Sequence, residues 1–566
     1  MSASPPPAAP TPNATPPITP PPPTLGRQVS QAMFWNTLLA PLKTIIELAT
    51  NLIILNVLTP PEFGILRLVT SAAATLGIWV DLGTDRAMPR FIPELQQERG
   101  RAAVRRFMQM IFLLKAGLLA LGGSLFLLFA PQFINFLLTG VQQLPERIDA
   151  TARAALEADV LRLAPLIIIT VLALVTLGSL YDGLMAYLVS YFRQRAWNLI
   201  TILGDVVQPT LTAILVLAGY GIGGVLVAVV LTPVLSVAVA SWQVIKSLRD
   251  PPRTQPTAPT ATAAATDATG RLDRQLWQRF AIYTGFSNIL NLSDYFLSWL
   301  FAIFLLTNPV QVALYSVGTA LVRQANGLLY RPLVGIQVPL FTRVRGGDAD
   351  LATTYAAVGR ILVLILVPGG AGLMLLAYDL ILVQYPQYLG AALVVWLLTP
   401  ALFLETFLSS AQIILQVYER YRLLLISRLP TLLVLPVMLW AAPRYGLVGA
   451  ALTVGGGRVL IGLTAAWLAQ REFRLAYSWA FFGRVALATG AMSAAVWGIR
   501  SLAGLGDTGS SIPERIQAAG VLLLIMLVGV LVFGVVLRLL GGIDASDRTW
   551  LRENRVPMGK WLARVL

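Results

Sequence analysis

The sequence predicts an all-α, polytopic integral membrane protein of about 14 transmembrane helices. They form two parallel six-helix bundles, related by a pseudo-twofold axis along the membrane normal, and two extra C-terminal helices. Three observations carry this prediction. The first is composition: 56% of residues are hydrophobic, 12% are charged, and the mean hydropathy is +0.72, whereas a soluble domain carries about 25% charge. The second is a series of apolar runs long enough to cross a bilayer. The third is an internal echo. Tyr220-Gly221-Ile222-Gly223-Gly224-Val225-Leu226 returns as Tyr445-Gly446-Leu447-Val448-Gly449-Ala450-Ala451, a shift of 445 − 220 = 225 residues. A looser echo joins Thr59-Pro60-Pro61-Glu62-Phe63-Gly64-Ile65-Leu66 to Thr307-Asn308-Pro309-Val310-Gln311-Val312-Ala313-Leu314-Tyr315.

Residues 1–27 open the chain as a Pro-rich segment with neither a basic start nor an apolar core, so they do not read as a signal peptide. Such a composition cannot bury a core and is expected to be a disordered cytoplasmic tail. The runs follow at about 33–58, 64–92, 107–138, 160–189, 197–219 and 222–245, which make an N-terminal bundle over 28–246. Residues 247–276, rich in Pro, Thr and Ala, read as a flexible cytoplasmic linker. Runs at about 280–306, 312–340, 357–378, 391–417, 423–442 and 447–469 make a second bundle over 277–470. Runs at 479–501 and 517–540 supply the two extra helices within 471–541, and 542–566 is a basic cytoplasmic tail. Both echoes fall at breaks between runs and pair the first bundle with the second. Six helices per repeat is an even number, so both halves enter the membrane from the same side.

Charge supports this count. With the N-terminus inside, the cytoplasmic connections and C-terminal tail carry 23 Lys and Arg residues, from Arg99 to Arg564. The opposite side carries 5: Arg147, Arg153, Arg444, Arg500 and Arg515. That is the positive-inside distribution, and it places both termini in the cytoplasm. The formal net charge of +15 is explained the same way, and no basic soluble domain suggests nucleic acid. The chain has no Cys and no His, which removes disulfides, thiol nucleophiles, His bases and the commonest zinc ligands. No cofactor or metal site is expected. Nor is an enzyme: the outer connection 139–159 offers Glu146, Asp149, Glu157 and Asp159, which read as a solvated amphipathic stretch.

Several stretches resemble one family. They are Leu58-Thr59-Pro60-Pro61-Glu62-Phe63-Gly64, Asp81-Leu82-Gly83 followed by Arg86 and Arg90-Phe91, Ala313-Leu314-Tyr315-Ser316, and the paired Tyr-Gly-x-x-Gly turns. Together they are similar to the polysaccharide (lipid-linked oligosaccharide, Wzx-like) flippases of the multidrug/oligosaccharidyl-lipid/polysaccharide exporter superfamily, over about residues 28–540. The resemblance implies a V-shaped, alternating-access carrier in the bacterial inner membrane. Its substrate would be an isoprenoid-diphosphate-linked glycan, moved from the inner to the outer leaflet for surface polysaccharide biosynthesis. Membrane lipids, a polysaccharide polymerase and other assembly proteins would be its partners. A peptidoglycan lipid-precursor flippase and a cation-coupled multidrug exporter of the same superfamily are the alternatives. A membrane-embedded polymerase or ligase is the more distant one.

A diphosphate leaving water needs cations, and Arg binds its oxygens through a planar fork. Charges within membrane helices are costly and therefore mark sites. Arg323 is the leading candidate, with Gln324, Asn326 and Arg331 nearby on the same helix; a structural pairing to a neighbouring acid is the alternative. Arg67 lies one turn into its helix, either in a cavity or near a headgroup. Arg86 and Arg90 stand near the cytoplasmic end, either to greet the diphosphate or to anchor the helix. Lys43 and Glu47, four residues apart, share a helix face and either pair or line the pathway. Glu47 and Asp294, on corresponding helices of the two halves, are the candidates for coupling a proton or Na⁺. Arg428 reads as more peripheral, and Asp205 and Glu405 as paired. Asn288, Asn291, Ser287 and Tyr315 offer hydrogen bonds either to sugar hydroxyls or to neighbouring helices.

Overall fold

The computed structural model describes residues 46, 52–145, 148–191, 193–249, 274–345, 350–475, 477–503 and 512–542. The N-terminal tail, most of the linker and almost all of the C-terminal tail lie outside them, as do Lys43 and Glu47. Within the described residues the chain is helical, with no strand. The helices are α1 (Pro60–Asp81), α2 (Thr84–Gln142), α3 (Ala150–Ser190), α4 (Gln194–Leu215), α5 (Gly221–Arg249), α6 (Arg274–Phe296), α7 (Pro309–Arg345), α8 (Leu351–Gln384), α9 (Ala391–Val417), α10 (Pro430–Phe473), α11 (Trp479–Ala503) and α12 (Ile512–Leu539).

Length and composition alone mark nine of the described helical segments as able to cross a membrane, or ten if the bent pair Trp277–Phe296 and Trp299–Leu305 is one span. The difference from about 14 has local causes. The segments Ala196–Lys246 and Tyr421–Phe473 each count once, yet at 1.5 Å per residue each is about twice the length of a bilayer crossing. Each is broken at an echoed glycine: Gly221 has φ 49, ψ −134 and Gly446 has φ 55, ψ −127. The repeat seen in sequence is therefore a repeat in backbone conformation. Helix α7 is absent from the nine because its middle carries Arg323, Gln324 and Asn326. The expected outer connection 139–159 is shorter than its sequence suggests, since α2 runs to Gln142 and α3 begins at Ala150.

The second echo is also structural. Glu62 caps α1 by accepting from the Thr59 backbone N–H and from its hydroxyl, both at 2.7 Å. Asn308 caps α7 by accepting from the Gln311 N–H at 3.0 Å. Each cap precedes a proline at the first helical position, where its missing N–H costs nothing.

Helices α1 to α5 pack on one another, with α2, α3 and α5 as neighbours, and α7 to α10 form a second group centred on α9. Helices α11 and α12 pack together against α8, through a separate apolar cluster that includes Val485, Met492, Leu522 and Ile525. The Asp379 carboxylate of α8 pins α11 by accepting from Arg500 Nε at 2.5 Å and Nη2 at 3.1 Å.

Candidate functional site

The seam between the two groups is formed chiefly by α1 against α7. It can close this tightly because Gly64 has no side chain: a Cβ there would overlap the Pro309 carbonyl. Deeper along the seam, Ser71 Oγ donates to the Leu300 carbonyl at 2.7 Å, and the Thr75 and Tyr295 hydroxyls share a hydrogen bond of 2.6 Å.

Contacts between the groups occur at both ends. At the end remote from the linker, Tyr388 donates to the Leu58 carbonyl at 3.0 Å and the Asn56 amide donates to the Gln384 carbonyl at 3.2 Å. The Gln387 amide donates to the Leu55 carbonyl. At the linker end α6 crosses onto α2. Arg279 pairs with Glu94 at 2.8 Å, and Phe280 packs edge-on against Phe91 and Phe107 at centroid distances of 5.4 and 5.2 Å.

Two arginines lie within the seam, one from each group. Arg67 on α1 places its guanidinium 4.7 Å from the Phe63 ring centroid. Its Nε is buried and has no hydrogen-bond partner among the described residues. Arg323 on α7 lies 5.6 Å from the Trp299 ring centroid and exposes its side chain. The two guanidinium groups are within electrostatic range of each other and repel. Aromatic faces offset part of that cost through cation–π attraction.

The other candidates are distributed differently. Arg331 is on α7 and Arg86 near the start of α2; their side chains lie outside the described set. Arg90 is at the linker-end contact, 4.8 Å from the Tyr283 ring, instead of beside Arg67. Asn326 turns toward α9 and donates to Thr406 Oγ1 at 2.7 Å, while its Oδ1 is buried without a partner. Gln324 is half-buried beside Arg323, and Asn291 is half-buried on α6. Asn288 lies where α6 meets Gly83, with its side-chain oxygen buried and unpartnered. Ser287 and Tyr315 are buried at 4% and 0% exposure, which withdraws both from contact with a sugar. Asp294 does not stand alone: Arg428, expected to be peripheral, pairs with it at 2.5 Å. Glu405 is paired as expected, with Arg458 at 2.8 Å.

Sequence reasoning missed a second constellation. Lys115 on α2 is 1% exposed and contacts both Asp81 at 2.6 Å and Asp85 at 2.7 Å. An ammonium inside an apolar run needs acid partners, so Lys115 itself was the available signal.

No family sequence model and no curated protein matches the chain. Solved structures do match in fold. The lipid II flippase MurJ in an inward closed conformation is 12% identical, with a TM-score of 0.61, and the match covers 90% of this chain and 97% of that one. An inward-facing multidrug resistance MATE family transporter of the MOP superfamily is 15% identical, with a TM-score of 0.54, over 76% and 94% of the two chains. The expected resemblance holds at the level of fold: this is a multi-pass helical membrane protein with the architecture of these transporters.

Proposed function

We propose that this chain is a flippase that carries an isoprenoid-diphosphate-linked oligosaccharide from the inner to the outer leaflet of a bacterial plasma membrane. The observation that carries the reading is that α1 and α7, which form the seam that a rocking carrier opens and closes, each carry an arginine, Arg67 against Phe63 and Arg323 against Trp299. A diphosphate is the lipid-linked group that such a pair fits, and drawing one cation from each half makes the bound anion sensitive to how far the halves are apart. Gln324 stands beside Arg323 in α7, and Asn288 and Asn291 supply amides on α6 for the glycan.

With the cytoplasm at the basic linker end, the Tyr388–Leu58 contact is the outer closure and the Arg279–Glu94 contact the inner one. The substrate would enter when the inner contact parts and leave when the outer one does. Likeness to a lipid II flippase favours a lipid-linked substrate and makes a peptidoglycan lipid-precursor flippase the second reading.

The test is leaflet accessibility of isoprenoid-diphosphate-linked glycan in cells depleted of this protein. Accumulation in the inner leaflet with normal peptidoglycan supports the proposal. Accumulation of the peptidoglycan precursor instead establishes the second reading. Normal flipping of both, with altered sensitivity to small cationic compounds, moves the chain to the exporters.

A further inference from the structure

Three acids of the second group each have one arginine: Asp294 with Arg428, Glu405 with Arg458, and Asp379 with Arg500. The first group differs. Asp81 at the end of α1 and Asp85 at the start of α2 share the single ammonium of Lys115. Asp182 on α3 is close enough to act electrostatically on Asp81 and Lys115, and its side chain is exposed. Among the described residues, three carboxylates against one ammonium leave two negative charges in excess when all are ionised.

The site is built around that ammonium. Lys115 Nζ also donates to the Ser179 carbonyl at 3.3 Å, and the Ser179 hydroxyl, 6% exposed, is buried without a partner among the described residues. Gly183, next to Asp182, leaves room: a Cβ there would stand 3.2 Å from the Phe112 ring and 3.9 Å from Lys115 Nζ. Thr84 Oγ1 lies within donating distance of both the Asp81 carbonyl, at 2.9 Å, and Asp81 Oδ1, at 3.1 Å. Other charged or titratable groups nearby among the described residues have partners of their own. Glu94 is taken by Arg279 from α6, and Tyr181 lies between Asp182 and Asp205 of α4 in electrostatic range of both. The three carboxylates do not converge on one centre as a metal cage requires.

We infer that Asp81, Asp85, Asp182 and Lys115 form a proton-binding site of the first helical group, loaded from the exposed Asp182 side. One proton adds to a carboxylate oxygen and lowers the excess from two negative charges to one; Lys115 keeps its own proton throughout. Like-charge crowding favours that uptake. The site also borders the second group. Leu82 and Gly83, which join Asp81 to Asp85, adopt φ 48 and φ 75. A Cβ on Gly83 would lie 3.0 Å from the Asn288 backbone nitrogen and 3.1 Å from the Thr284 carbonyl of α6. A change of charge at the cluster therefore acts on the turn that α6 rests against. This goes beyond the transport reading and does not depend on which substrate is carried.

The experiment is an infrared difference titration of the purified full-length protein in lipid nanodiscs, from mildly alkaline to mildly acidic pH, in choline and in sodium salt. The expected result is a protonated-carboxyl band in the wild type, at the same midpoint in both salts, that is lost or moved in Asp81→Asn, Asp85→Asn and Asp182→Asn. Lys115→Met should raise the midpoint, because the carboxylates lose their counter-charge. Asp182→Asn, on the exposed side, keeps the test open if a buried substitution prevents folding. A band identical in every Asn variant that elutes as a single species overturns the proposal. A midpoint that falls when sodium replaces choline overturns the proton assignment in favour of the cation.

Discussion

Gly64 of the first helical group lies directly against the backbone carbonyl of Pro309 in the second. Both residues belong to the same echoed motif, so the two copies of the repeat meet at the seam itself. Gly64→Ala forces α1 and α7 apart. The expected outcome is a destabilisation of about 1–3 kcal/mol, with weaker protection of the seam in hydrogen exchange. Unchanged thermal unfolding in detergent would mean that the seam is looser than this packing requires.

Arg67 and Arg323 are expected to act as a unit. Substituting either with Ala should weaken binding of an isoprenoid diphosphate by about 30-fold or more. The double variant should be little worse than either single one, because one arginine no longer closes on the anion from both halves. Arg323→Lys should recover only part of the affinity, since the planar fork is lost while charge is kept. Additive losses measured by ligand binding in nanodiscs would separate the two residues.

Gly446→Ala should be more damaging than Gly221→Ala. Both glycines have φ near 50° with strongly negative ψ, a region costly for any side chain. Gly221 has open space around it, whereas a Cβ on Gly446 would press on Gln311 Oε1 at 3.1 Å. The expected ordering is read by unfolding temperature in detergent. Equal losses would assign the whole effect to backbone strain.

Asp379→Asn should loosen the two extra helices. Asp379 is 2% exposed and receives both donors of Arg500. Removing one partner of a buried pair costs about 3–5 kcal/mol. Replacing both, as Asp379→Leu with Arg500→Met, should recover much of that loss. Proteolysis between α11 and α12 reports the docking, and a single variant as resistant as the wild type would argue against it.

The helical class, the breaks at Gly221 and Gly446 and the capped starts at Thr59 and Asn308 were legible because each depends on a few consecutive residues. Arg67 and Arg323 were legible as costly charges, but not as neighbours. Arg90 was read either as greeting the diphosphate or as anchoring the helix, and the structure adds its place against Tyr283, where α6 crosses α2. Asp294 was singled out and Arg428 set aside, although 134 positions of sequence separate two halves of one ion pair.

The sequence by itself determined that the chain is a series of apolar helices, where two long segments break and that the pattern repeats, since hydropathy and glycine backbone freedom are local. Only the tertiary structure decided which charges cancel and which remain. Lys115 draws on Asp81 and Asp85 from 34 and 30 residues away, and Arg67 meets Arg323 from the other half. In a medium that does not solvate charge, the function of each ionised side chain follows from its spatial neighbours, and helix packing alone selects them.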